Sequence, residues 1–171
     1  MTNTNIACFA VGEICANESA KDAQIYKAKA SLTDLAVAAD DLSAGDLADF
    51  HSMQSGRDPS DVFPKALDET THVIKLDSRV LAVGGHTRGG IWFVTTNLVT
   101  ELSQAQRYKF YRILKGHLLD IKRENLNRIA FTNFVAVRNS AHVRLLEKLG
   151  ATFQADQVVS PAGFPFKQFW L

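Results

Sequence analysis

The stretch Asn139-Ser-Ala-His-Val-Arg-Leu-Leu-Glu-Lys-Leu-Gly150-Ala-Thr-Phe153 constrains the fold of this chain more than any other segment. It reads as a short capped helix followed by a strand. Asn139 or Ser140 can accept a hydrogen bond from the first free helical N–H groups. Val143, Leu146 and Leu149 then fall on one face at helical spacing. Gly150 suits the left-handed residue that ends such a helix. Just upstream, Phe131–Val137 is rich in β-branched and aromatic residues and reads as a strand. The local order is therefore strand, Asn-led helix, glycine stop, strand.

The remainder of the chain is read in the same way. Residues Met1 to Tyr26 form a polar extension in which Ile6–Val11 could add one strand, and residues 27–171 form the domain. Lys27–Ser31 suits a short strand, and Thr33 and Asp34 a helix start. Ser43 with Asp46 three residues later resembles a capping pair for a second helix through Phe50 and Met53. Gly56-Arg-Asp-Pro59 is turn chemistry. Strands are expected at Thr71–Leu76, Arg79–Val83 and Ile91–Thr96, with Gly84–Gly90 as a glycine-rich link. Ser103-Gln-Ala-Gln106 opens a long helix to about Arg123, with Phe110, Leu114, Leu118 and Ile121 as its core stripe. The aromatic tail Gly163–Trp170 suits a last strand against the sheet.

Composition excludes several classes. With 171 residues the chain is one domain on size. A formal charge of +1 argues against a nucleic-acid or membrane-surface partner. No apolar run approaches the roughly 20 residues a membrane span needs, and Ile6–Val11 is too short for a signal segment. Cys8 and Cys15 read as reduced thiols, placing the protein in a cytoplasm. No phosphate-binding Gly-Lys-Ser/Thr and no Gly-x-Ser-x-Gly elbow occurs. The histidines, His51, His72, His86, His117 and His142, have no metal-ligand spacing, so no metal is expected. The basic residues along the long helix, Arg107 to Arg123, read as a solvated face.

The order of elements around Asn139–Gly150 resembles the acyl-CoA-binding half of the GNAT N-acetyltransferase fold. Ala30–Leu35, Ser55–Pro59, Trp92 with Thr95-Thr96, Asn133, Asn139…Gly150 and Gly163–Phe166 narrow the likeness. In that order they resemble a phage-encoded branch of the superfamily, similar to the internal virion protein A of short-tailed phages. The resemblance implies an α/β, GNAT-like fold with a mixed, mostly antiparallel sheet flanked by helices. It implies acetyl-CoA as cofactor, its pantetheine arm lying between Ile91–Thr96 and Phe131–Val137. Backbone at Val94, Thr95 and Thr96, with Asn133 and Asn139, would hold that arm. Ser103, Gln104 and Arg107 at the long-helix N-terminus would hold the pyrophosphate.

Two positions depart from that pattern. The small residues that normally admit the pyrophosphate are replaced around Arg107-Tyr-Lys109, and Leu146 stands where many members carry a Tyr general acid. Glu101 and His86 are the candidate bases nearest the expected cleft, with Glu69 weaker. The implied activity is acetyl transfer to a protein or small-molecule amine in the host cell cytoplasm. The alternative is a non-catalytic protein serving in virion assembly or binding a phage or host protein.

Overall fold

A computed structural model describes residues 23–125 and 129–171 of the chain. The strand expected at Ile6–Val11 lies outside the described residues, as does nearly all of the extension. Eight strands and five α-helices are described: β1 (Ile25–Lys29), α1 (Leu32–Asp40), α2 (Ala44–Met53), α3 (Pro59–Val62), β2 (His72–Leu76), β3 (Arg79–His86), β4 (Ile91–Thr95), α4 (Gln104–Glu124), β5 (Thr132–Ala136), α5 (Ser140–Leu149), β6 (Thr152–Phe153), β7 (Val158–Val159) and β8 (Pro165–Trp170). Two 3-10 turns, Phe63–Ala66 and Asn97–Glu101, complete the set.

The strands form two antiparallel sheets, ordered β1-β2-β3-β4 and β5-β8-β6, with β7 also on β8. The sheets meet where β4 and β5 begin. Gly90 and Thr132 form a single parallel bridge, and Thr132 N–H donates to Gly89 O at 3.0 Å. The Asn133 amide then donates to Ile91 O at 2.8 Å. Beyond this point the strands are not paired to each other, so β4 and β5 make a V that opens toward their C-terminal ends.

Helices cover both faces. On one face Ile74, Leu81 and Ala82 pack with Phe110 of α4. On the other, Val73, Val80 and Val83 pack with Leu35 and Ala38 of α1 and with Phe63. Helix α5 lies beside α4: its Leu146 packs on Val135 and Phe169 with Ile91 and Phe93 alongside. The Tyr111 hydroxyl of α4 donates to Lys148 O of α5. Leu35 and Leu146 are fully buried, each contributing roughly 1.5–3 kcal/mol by leaving water.

The helix ends follow the sequence closely. Ser103 and Gln106 close a capping box on α4, Asn139 caps α5, and Gly150 ends α5 at φ 90°. Three expectations shift. Strand β1 starts at Ile25 and ends at Lys29, short of Ser31, which is the N-cap of α1 rather than a strand residue. Helix α1 accordingly begins at Leu32, with Asp34 closing a box back to Ser31. Gly84 and Gly85 belong to β3, and the turn is the shorter Thr87–Gly90 with Gly89 at φ 83°. A Cβ on Gly84 would stand 2.7 Å from Phe93 Cβ and from Trp92 O. Glycine there permits close strand approach rather than a turn.

Candidate functional site

The V between β4 and β5 is the place where this chain could hold a ligand, and its open end is built by α2. Ser43 is the N-cap of α2 and accepts the Asp46 N–H at 3.3 Å. The Asp46 carboxylate does not return to Ser43. Its Oδ2 accepts both the backbone N–H and the hydroxyl of Thr95, each at 2.7 Å. Ser43 N–H donates instead to Thr95 O at 2.8 Å. Leu42 forms an antiparallel bridge with Thr96, and Asn97 N–H donates to Asp41 O at 2.9 Å. Residues 41–43 thus line the end of β4 as an added strand would, and Asp46 follows from the first turn of α2.

The ladder shows which backbone groups this consumes. Thr96 N–H bonds Leu81 O, so Ala82 and Thr95 form a pair whose own N–H and C=O groups point away from each other. The outward groups of Thr95 therefore face the V, and both are taken. The alternation repeats every second residue, so the N–H and C=O of Phe93 also face the V. Ile91 O, nearest the closed end, is held by Asn133.

Asp46 reaches across the V as well. Its Oδ1 accepts from His142 Nδ1 at 3.1 Å and from the Asn139 amide at 3.4 Å. The same amide donates to Asp49 Oδ2 at 3.0 Å, while Asn139 Oδ1 accepts the His142 N–H. The His142 ring lies 4.6 Å from that of Phe93. Gly45 allows the approach of α2 to Asn139, since a Cβ there would sit 3.0 Å from Asn139 Oδ1. Farther along α2, Arg138 donates to Ala48 O at 2.8 Å and to the Ser52 hydroxyl, and Ser160 donates to Ser52 O. Helix α2 is fastened to β4 on one side and to the β5–α5 and β7–β8 connections on the other.

The two carboxyls of α2 differ in their electrostatics. Burial pushes the Asp46 carboxyl up, but the hydrogen bond and charge of His142 and the two Thr95 donors outweigh it, leaving it below the usual range. Burial also pushes Asp49 up, and there it wins: the Asn139 amide and the more distant His142 charge only partly offset it, and Asp46 adds a like charge. Asp49 Oδ1 is buried with no hydrogen-bond partner among the described residues. Between these groups and the closed end of the V lies a cavity of about 370 Å³, walled by Phe50, Phe63, Trp92, Phe93, Phe134 and Phe166.

The residues singled out from the sequence are distributed as follows. Thr95, Asn133 and Asn139 border the V, and all three are engaged within the chain. Val94 packs against the α1 layer and also lines the cavity. Thr96 is fully buried and donates to Val80 O at 2.7 Å, facing β3 rather than the V. Ser103 is committed to its capping box, and Gln104 is exposed in the first turn of α4. Arg107 curls back on the preceding turn, donating to Leu102 O at 2.9 Å and Thr100 O at 2.8 Å. Glu101 is exposed and sits 4.0 Å from Arg79. His86 pairs with Ile91 at the closed end of the V, its ring 5.4 Å from Phe131. Neither candidate base lines the cavity, and they flank opposite ends of β4. Leu146 is buried in the α5 interface. Sequence reasoning missed Asp46, Asp49 and His142 as the residues that build the site. The spacing of Asp46 and Asp49, three apart on one helix face, was the available signal.

Comparison with known proteins bears on the family and the fold. The family model described as bacteriophage T7, probable scaffold protein Gp13, matches residues 70–157. That span is more than half of the chain. The chain belongs to the Gp13 family. The probable scaffold protein gp13 of Escherichia phage T7 is 31% identical over 103 residues, covering 60% of this chain and 69% of that protein. Among solved structures, a GNAT-family acetyltransferase from Bacillus anthracis aligns with TM-score 0.59 at 10% identity, over 86% of this chain and 94% of that one. YncA of Salmonella typhimurium, solved with acetyl-CoA, aligns with TM-score 0.53 at 12% identity, over 85% and 91%. At such identities the likeness is one of fold: this Gp13-family chain has the GNAT architecture. No helix among its described residues is long and apolar enough to cross a membrane.

Proposed function

We propose that this chain is a non-catalytic GNAT-fold protein acting in phage particle assembly, as the name of its T7 relative suggests for that protein. The observation that carries this reading is the pairing of Asp46 and Ser43 with Thr95. A pantetheine arm lying along β4 needs the outward backbone groups of that strand. Here the outermost pair is bonded within the chain, and a carboxylate of depressed pKa stands beside it. The donor set therefore does not fit an acyl-CoA arm. Arg107, turned onto Leu102 O and Thr100 O, already has acceptors of its own. Leu146 has no proton to give a leaving thiolate.

The competing reading, acetyl-CoA-dependent N-acetylation of an amine, keeps one observation in its favour. The cavity of about 370 Å³ beside Phe93 retains room within the V. Using it with acetyl-CoA would require α2 to release Thr95.

Two experiments test the proposal together. Calorimetric titration with acetyl-CoA is expected to give no binding at millimolar ligand; micromolar binding would overturn the reading. In a phage lacking this gene, a copy carrying both His86→Ala and Glu101→Gln is expected to restore particle yield fully. Failure of that folded variant to support assembly would return the candidate bases to the mechanism.

A further inference from the structure

The formal charge of +1 hides a division between the two helical layers. In α4, the segment Gln104–Lys115 carries Arg107, Lys109, Arg112 and Lys115 and no acid. Arg144 and Lys148 of the neighbouring α5 are exposed too, with Glu147 as the one exposed acid of that helix. Across the sheet the sign reverses. Asp40 and Asp41 end α1, and Asp58 and Asp61 lie in the adjoining α3 segment, all four exposed, against Arg57 and Lys65 as the flanking cations. Lys109, Arg112, Asp40 and Asp61 have no ion-pair partner among the described residues.

Each charged layer also shows apolar side chains to solvent. Tyr108 and Leu119 of α4 are 63% and 46% exposed, and Leu32 and Val37 of α1 are 58% and 43% exposed. Surfaces of this mixed kind are what interfaces use, with apolar contact for area and charge for register and selection. The two surfaces are complementary in sign and lie on opposite faces of one molecule.

We infer that the α4–α5 face of one copy docks on the α1–α3 face of the next, a head-to-tail contact between identical chains. Because the two patches differ, the contact is heterologous, and each docked pair leaves one face of each kind free. Such contacts propagate into a ring or an open array rather than stopping at a twofold dimer. The opposed exposed charges make the association sensitive to ionic strength, since interactions between exposed charges are screened beyond about 8 Å at physiological salt. The inference rests on the charge division and stands whether or not the domain transfers an acyl group.

Sedimentation velocity of the purified chain at low and high salt tests it. Concentration-dependent growth is expected at low salt, with return to monomer at high salt. The pairs Lys109→Glu/Arg112→Glu and Asp40→Lys/Asp61→Lys alter exposed side chains, and each is expected to weaken association at least about tenfold. Mixing the two variants should restore it, because each then presents a face complementary to the other. A wild-type chain that stays monomeric at every concentration overturns the proposal. So does a mixture of two folded variants that fails to associate. If Lys109→Glu/Arg112→Glu abolishes binding of a short single-stranded DNA but leaves sedimentation unchanged, the basic face serves a polyanion and the proposal fails.

Discussion

Ser31-x-x-Asp34 and Ser43-x-x-Asp46 present the same pattern at the starts of consecutive helices, yet they end in different structures. Asp34 turns back and accepts the Ser31 N–H at 3.0 Å, closing a local box, and pairs with Lys75 at 2.8 Å. Asp46 leaves its own cap and takes the N–H and hydroxyl of Thr95, 49 residues away. The difference lies in what stands nearby. Helix α1 packs beside a paired strand with no free edge, whereas α2 arrives at the unpaired edge of β4, where two backbone groups need partners. An unpaired strand edge competes for a capping carboxylate and wins, because an unsatisfied buried amide costs about 1–3 kcal/mol while the Ser43 N–H that Asp46 gives up finds Thr95 O at 2.8 Å.

The largest test of this contrast is truncation of the two aspartates. Asp46→Ala leaves Thr95 N–H, the His142 ring and the Asn139 amide short of an acceptor, and is expected to cost about 3–5 kcal/mol in urea unfolding. Asp34→Ala loses a cap and a largely buried ion pair with Lys75, and is expected to cost about 2–3 kcal/mol. Equal losses would mean that the two motifs are energetically alike.

Glycine provides the next comparison. A Cβ at Gly45 in α2 would press on Asn139 Oδ1, whereas one at Gly116 in α4 would meet nothing within 4 Å. Gly116→Ala is expected to stabilise by up to about 1 kcal/mol through helix propensity alone. Gly45→Ala should forfeit that gain and lose about 1 kcal/mol, because the tight contact must open. Stabilisation by both would show that α2 is not held closely against Asn139.

Acid behaviour separates the groups by sign. The Asp46 pKa is depressed, so its contribution is present above the ordinary carboxylate range and is lost as pH falls through its lower folded value. His117 is pushed down to about 4 by burial and by neighbouring Lys27 and His72. Its folded state resists protonation, so stability declines from about pH 6.5 toward pH 4 as the unfolded chain takes up the proton. His117→Gln should flatten that upper part of the acid limb, and Asp46→Asn the part below it. An unchanged profile in either variant removes that group from the account.

The smallest effect concerns Asp49, whose pKa is raised by burial and by Asp46. The folded state disfavours its charge near neutral pH, so Asp49→Asn is expected to stabilise slightly at pH 7, by under about 1 kcal/mol. The gain should vanish once the pH is low enough to protonate the native carboxyl. Destabilisation at pH 7 would show that the charged form is the one the site needs.

Much of the fold was legible because its signals are local. Asn139, Gly150, Ser103 and Gln106 act within one turn of themselves, and the stripe of Phe110, Leu118 and Ile121 needs only helical period to be seen. The site was less legible because its bonds are not local. The sequence marks Asp46 as a cap, and nothing within four residues of it reveals Thr95, His142 or Asn139. Gly84 misled for a similar reason: glycine in sequence suggests a turn, while its role here is contact with Phe93 on the next strand. Asn133 and Asn139, singled out from the sequence as cofactor contacts, lie beside the V with partners inside the chain. Their partners, Ile91 O and the α2 carboxylates, emerge only when the two sheets are set side by side.

The central claim is that the open end of the V is filled by the chain itself. Amide hydrogen exchange at Thr95, Thr96 and Phe93, with and without saturating acetyl-CoA, tests it most directly. The account predicts that Thr95 is protected as strongly as Thr96, that Phe93 exchanges faster, and that acetyl-CoA changes none of them. Fast exchange at Thr95 that slows when acetyl-CoA is added would contradict it.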